Sequence, residues 1–223
     1  MPASTPVYGW PYQSLPDPPD GPNLGEDLAL AIEGTVQSLQ SQLAAMQTRV
    51  NALTVAAYYR ARQIVTVPVP SVTFSGIPSN LRRLKITYTG RSDNATTNIL
   101  VQLRVNGDPG ANYYDEFTRA IGAAAPASNL EVGSNQMRCG VSAAALATAG
   151  QFSVGSLEFV GWDAPHPNYL GVIFHSFTPA AGSNEEDGGG AYAGAGPYNS
   201  VTVIAQAGNW VAGSDFQLYG DPT

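Results

Sequence analysis

Two histidines, one cysteine and a run of three carboxylates are the side chains of this 223-residue sequence best suited to chemistry. His166 sits in a proline-rich stretch, Asp163-Ala164-Pro165-His166-Pro167, and His175 lies in a segment that alternates like a strand. Both read as structural or surface histidines, and spacing alone assembles no Ser–His–acid relay. Glu185-Glu186-Asp187 could hold a hard cation such as Ca²⁺, because adjacent carboxylates on a flexible loop suit one. The run lacks the alternating Asp/Asn spacing of a calcium loop, so we read it as a solvated acidic tip. Spacing does not pick out the carboxylate pair that glycoside hydrolysis requires. The glycine run that follows has no Lys-Ser/Thr and no strand–helix setting, which excludes a phosphate cradle. Cys139 is alone, which excludes an internal disulfide and a Cys-based zinc site. We therefore expect no enzymatic activity, no metal and no cofactor.

Aromatic side chains are the remaining candidates for binding. Tyr113, Tyr114, Trp162, Tyr169, Tyr192, Tyr198 and Trp210 fall near expected loops, and both sugars and protein partners stack on such faces. Trp162, Tyr169 and Trp210 are the expected ligand-binding residues. A second group lies in the proline-rich segment 1–24, where Tyr8, Trp10, Pro11, Tyr12 and Leu15 interrupt repeated prolines. That segment is too rich in proline for a helix and too short for a core of its own. Its large side chains are expected to dock on another protein.

The elements that position these residues follow from two periodicities. Ala29, Ile32, Val36, Leu39, Leu43, Met46, Val50, Leu53 and Ala57 recur at alternating steps of three and four, a heptad seam. The opposite face is mostly Gln, Ser, Thr and Ala. The flanking Glu33, Thr35, Gln40, Gln42, Gln47, Arg49 and Thr54 are mostly uncharged, so salt bridges cannot set partner choice. We expect a helix over residues 25–60, starting at Asn23 or at Gly25-Glu26-Asp27 and about 40 Å long. It would associate with copies of itself through Ile32, Val36, Leu39, Leu43, Met46, Val50 and Leu53. The alternative is a single amphipathic helix packed on the rest of a monomer.

From about residue 62 the period becomes two. Strands are expected at Gln63–Val67, Val72–Phe74, Leu84–Thr89, Ile99–Val105, Gln136–Val141, Phe152–Val160, Tyr169–Phe177, Val201–Gln206 and Phe216–Tyr219. Pro68 and Pro70 suit a sheet edge, and Asn106-Gly107-Asp108-Pro109-Gly110 is a turn signal. Gly155-Ser156 shifts the alternation and reads as a bulge. Residues 120–127 and 142–150 read as loops or short turns, and 181–198 as a long glycine-rich loop. The expected fold is mainly β: an extended arm (1–24), a coiled-coil helix (25–60) and an antiparallel, jelly-roll-like sandwich head (62–223).

Composition narrows the function classes. All ten Lys and Arg lie within residues 1–138, and residues 139–223 carry seven acids with no Lys or Arg. A net charge of −7 without a basic stripe argues against nucleic-acid binding. No apolar run reaches the roughly 20 residues of a membrane span. The start, Met1-Pro-Ala-Ser-Thr-Pro, lacks a signal-peptide pattern, so export by the ordinary secretory route is not expected. For the same reason the Asn94-Ala95-Thr96 sequon carries little weight.

Three blocks resemble a domain that recurs in structural proteins of tailed bacteriophages, especially phages of actinobacteria. They are Gly90-Arg91-Ser92-Asp93; Leu103-Arg104-Val105-Asn106-Gly107-Asp108 with Gly110, Asn112 and Tyr113; and Ala212-Gly213-Ser214-Asp215-Phe216-Gln217-Leu218-Tyr219-Gly220. The resemblance covers about residues 62–223, and the arm and helix are similar to the attachment segments of such chains. The order of stalk and sandwich is also similar, at fold level, to the trimeric heads of the C1q and tumour-necrosis-factor kind. These resemblances imply a homotrimeric tail-fibre or minor tail protein on the outer surface of a virion. Its arm would attach to another virion protein and its head would engage a host-surface glycan. The alternatives are a capsid decoration or head-fibre protein of the same architecture, and a free carbohydrate-binding module.

Overall fold

Heptad spacing and strand alternation produce a helix and a β-sandwich in the computed structural model, which describes residues 3–4, 11–12, 21–57, 59–122, 124–163, 169–179 and 184–222. Two short strands, β1 (Ala3–Ser4) and β2 (Pro11–Tyr12), pair antiparallel. Helix α1 (Gly21–Ala57) begins earlier than the sequence suggests, at Gly21-Pro22. Proline is tolerated in a first turn because its missing N–H would be unpaired there anyway. Its 37 residues extend about 55 Å. Thr35, Ser41 and Thr48 turn their hydroxyls back onto the carbonyls of Ala31, Gln37 and Ala44, so these polar groups need no outside partner. The seam residues Ile32, Val36, Leu39, Leu43, Met46 and Val50 are exposed, from 43% at Ile32 to 62% at Leu43. The chain divides into two compact units, Met1–Thr54 and Val55–Thr223.

The second unit is a sandwich of two antiparallel sheets. Its strands are β3 (Tyr59–Ile64), β4 (Ser71–Ser75), β5 (Leu81–Gly90), β6 (Asn98–Val105), β7 (Tyr113–Ile121), β8 (Ala127–Ser134), β9 (Met137–Ala143), β10 (Ser153–Val160), β11 (Leu170–Thr178), β12 (Asn184–Tyr192), β13 (Ser200–Ala205) and β14 (Asp215–Pro222). The larger sheet runs β3-β14-β5-β10-β11-β12-β7-β8 and the smaller β4-β13-β6-β9. Alternation drives the burial: Leu84, Ile86, Leu157, Phe159, Val172, Phe174, Phe216 and Leu218 point inward from the large sheet. Val72, Phe74, Val101, Leu103, Val105, Val201 and Val203 meet them from the small one.

The blocks that carry the phage resemblance prove to be structural joints. In the turn after β6, Asn106 and Gly107 both have positive φ, 53° and 66°, as a tight hairpin-like turn demands. Asp108 fixes the turn by accepting bonds from the Gly110 N–H (2.7 Å), Asn112 Nδ2 (2.8 Å) and the Tyr192 hydroxyl (2.9 Å). The Arg91 guanidinium donates to the carbonyls of Ala145, Ala147, Thr148 and Gln151 and pins the turns after β9. Ser92 donates to the Ala207 carbonyl, and Asp93 accepts from both nitrogens of Asn209.

Two expectations are corrected. Gly155-Ser156 makes no bulge: β10 keeps continuous register with β5 and β11 from Val154 to Phe159. Gly155 faces inward, where a Cβ would strike the Tyr88 ring, while Val154 faces out. The expected glycine-rich loop contains β12, an interior strand of the large sheet bonded to both β11 and β7.

Candidate functional site

Two of the three expected ligand-binding aromatics are core residues. Trp162 is 1% exposed, donates Nε1–H to the Pro78 carbonyl (3.0 Å) and meets Phe159 edge to face. Trp210 is fully buried, its Nε1–H directed at the Val203 carbonyl and its ring 5.2 Å from that of Phe216. A buried indole offers no face to a sugar, so both leave the site. Tyr113, Tyr192 and Tyr198 are buried likewise, whereas Tyr169 stays 57% exposed just before β11. Of the expected attachment residues, Pro11 and Tyr12 form β2, and Tyr8, Trp10 and Leu15 lie outside the described residues. Of the expected association residues, Leu53 lies in α1 with its side chain outside the described residues.

Strand alternation splits the acidic run in two. Glu186 points into the sandwich, fully buried, and is held by the Arg138 guanidinium through two bonds, one of them Nε to Oε2 at 3.1 Å. Arg119 approaches the same carboxylate at 3.4 Å, and Arg138 stacks on the Phe117 ring with 3.7 Å to its centre. Asp115 completes this interior group, accepting from the Arg138 backbone N–H at 3.0 Å, while its second oxygen has no partner. Burial pushes the Asp115 carboxyl up to about 6 against the opposing pull of that N–H, and burial raises Glu186 as well. Cys139 lies in the same interior, its thiol pushed up by burial and therefore unreactive.

Glu185 and Asp187 take the opposite face. Asp187 stands across the β11–β12 ladder from His175 and contacts its Nδ1, and Glu185 lies two residues away on the same side. One donor atom from each of His175, Glu185 and Asp187 lies within 4.8 Å of the others, and all three are exposed. Across the other edge of β11, Ser156 is the register partner of His175. Ser156, His175 and Asp187 thus occupy one row in the order of a nucleophile, base and acid. No hydrogen bond joins Ser156 to His175 among the described residues. The amides around Ser156 are committed to ladders on both sides, which leaves no oxyanion donors.

Two shallow hollows open on this outer face. One of 320 Å³ is bordered by Thr87, Thr89, Ser156, His175 and Gln217. The other, 600 Å³, is bordered by Arg82, Arg83, Lys85, Glu158 and Tyr219, with Lys85 and Glu158 paired at 2.6 Å. Sequence reasoning missed the His175–Asp187 pair. Its signal is the joint alternation of residues 170–178 and 184–192, legible only once β12 is known to be a strand.

No protein-family model matches the chain, and no curated protein matches it. Among the described residues no helix is long and apolar enough to cross a membrane.

Proposed function

We propose that the chain is a non-enzymatic structural protein of a tailed-phage virion, a homotrimeric fibre or minor tail component that displays its sandwich toward a host-surface glycan. The observation that carries this reading is the exposed heptad seam of α1 followed, after one residue, by the first strand of the sandwich. Six large apolar side chains left open along one helical stripe are unfavourable in a lone chain, and burying them between copies removes that cost. Strand order supports a trimeric head. With the β7–β8 and β11–β12 hairpins set aside, the remaining eight strands run 1-8-3-6 in one sheet and 2-7-4-5 in the other. That is the wrapping order of a jelly roll. Tyr8, Trp10, Pro11, Tyr12 and Leu15 serve as the attachment arm to another virion protein.

In this reading three linked heads turn weak individual contacts into useful avidity. Tyr169 and the hollows of the outer face are the surfaces open to a sugar. A glycan array built from cell-wall polysaccharides and probed with the full chain tests the host-binding part. Binding is expected, and Tyr169→Ala weakens each contact about three- to tenfold, the worth of one lost aromatic contact. Absence of binding to every glycan and to intact host cells contradicts the display role.

A further inference from the structure

We propose that His175, Glu185 and Asp187 form a binding site for a divalent metal of the zinc class on the outer face of the large sheet. The inference does not depend on the virion reading. One imidazole nitrogen and two carboxylate oxygens from three residues, gathered within 4.8 Å, match the donor set and number that zinc takes in an open site. The imidazole decides the class, because calcium and magnesium prefer oxygen alone.

Two features favour a metal over a simple surface ion pair. The first is charge. Residues 139–223 contain no Lys or Arg. The side chains directly flanking the three on this face are Val154 and Ser156 from β10, Ile173 and Phe177 from β11 and Thr118 and Ala120 from β7, while the more distant Lys85 and Arg62 are paired with Glu158 and Asp215. Arg119, the nearest cation in sequence register, turns inward to Glu186. Two carboxylates therefore face one imidazole, an excess of negative charge that a divalent cation neutralises. The second is rigidity. His175 and Asp187 are opposed across an unbroken nine-pair ladder between two interior strands, so the donors are held by backbone pairing. Three protein ligands leave a coordination position open. The 320 Å³ hollow that shares His175 is edged by the hydroxyl or amide groups of Thr87, Thr89, Ser156 and Gln217 and by the Asp215 carboxylate, a lining compatible with an uncharged, hydroxyl-rich ligand.

The full chain, stripped with a chelator, is titrated with Zn²⁺ by calorimetry and with Co²⁺ by visible absorption. One site per chain is expected, with ligand-field bands from Co²⁺ that report nitrogen and carboxylate donors. His175→Ala and Asp187→Asn each weaken binding by more than the roughly 10–100-fold typical of losing an outer-shell partner. Both variants keep the metal-free thermal midpoint, since the three side chains are exposed. His166→Ala changes nothing. Any of three titration results overturns the assignment: no zinc binding by the wild-type chain, binding that His175→Ala retains, or calcium bound in preference to zinc. Hydrolysis of an activated ester by the metal-free chain, abolished in Ser156→Ala, would instead mark the row as a catalytic triad and also overturn it.

Discussion

Asp115 shows what a single buried carboxyl does to the behaviour of the sandwich. Its oxygens are sealed between the sheets, one bonded to the Arg138 N–H and one unpartnered, with Glu131 and Glu186 adding negative charge nearby. The folded chain therefore holds a proton on Asp115 up to about pH 6, whereas the unfolded chain releases it near the ordinary aspartate value of about 4. Because the folded value is the higher one, the folded state binds more protons in that window. The group's favourable contribution is complete below about pH 4 and is lost as pH rises through about 6. Asp115→Asn keeps an oxygen for the Arg138 N–H and removes the titration. Urea unfolding from pH 4 to 7 should show the wild type losing stability relative to the variant across this window. A difference that does not change with pH would contradict the account. Arg138 and Glu186 sit beside it under a different rule: their pairing is not itself large net stabilisation, but removing either partner strands the other charge, at a cost of about 3–5 kcal/mol.

At the scale of elements, β12 depends on glycine for steric reasons. A Cβ on Gly188 would run into the Glu116 carbonyl and the Phe174 ring. One on Gly190 would run into the Tyr114 carbonyl and the Met137 sulfur. Gly34 in α1 has open space around it and lies within a helix. Alanine should therefore act in opposite directions. Gly188→Ala and Gly190→Ala are expected to destabilise the sandwich by about 1–3 kcal/mol or more. Gly34→Ala should stabilise the helix by about 1 kcal/mol, read as raised helicity and midpoint by circular dichroism. The same contrast explains what the amino-acid order revealed. Leu84–Thr89 and Val101–Val105 announce themselves because hydrophobic and polar residues alternate at each step. In β12 the inward positions after Glu186 are Gly188 and Gly190, chosen for lack of bulk, and they leave no hydrophobic signal. With β12 read as a loop, Glu185, Glu186 and Asp187 could not be sorted onto two faces, and His175 could not be placed opposite Asp187. Trp162 and Trp210 misled for the complementary reason. Loop-like neighbours suggested exposure, yet each indole closes the core while its N–H is directed at a backbone carbonyl.

At the scale of the whole molecule, the proposed self-assembly rests on the exposed apolar seam of α1. The flanking positions of the seam are mostly Gln and Thr, so the proposed assembly would depend on apolar burial and should persist in high salt. Sedimentation equilibrium of the full chain at micromolar concentration is the most direct test of the proposed assembly. A particle of three times the 23.3 kDa chain mass is expected, reduced to single chains by Leu39→Asp combined with Leu43→Asp while the sandwich keeps its thermal midpoint. A wild-type chain that sediments as a monomer, or a double variant that still sediments as a trimer, would contradict it.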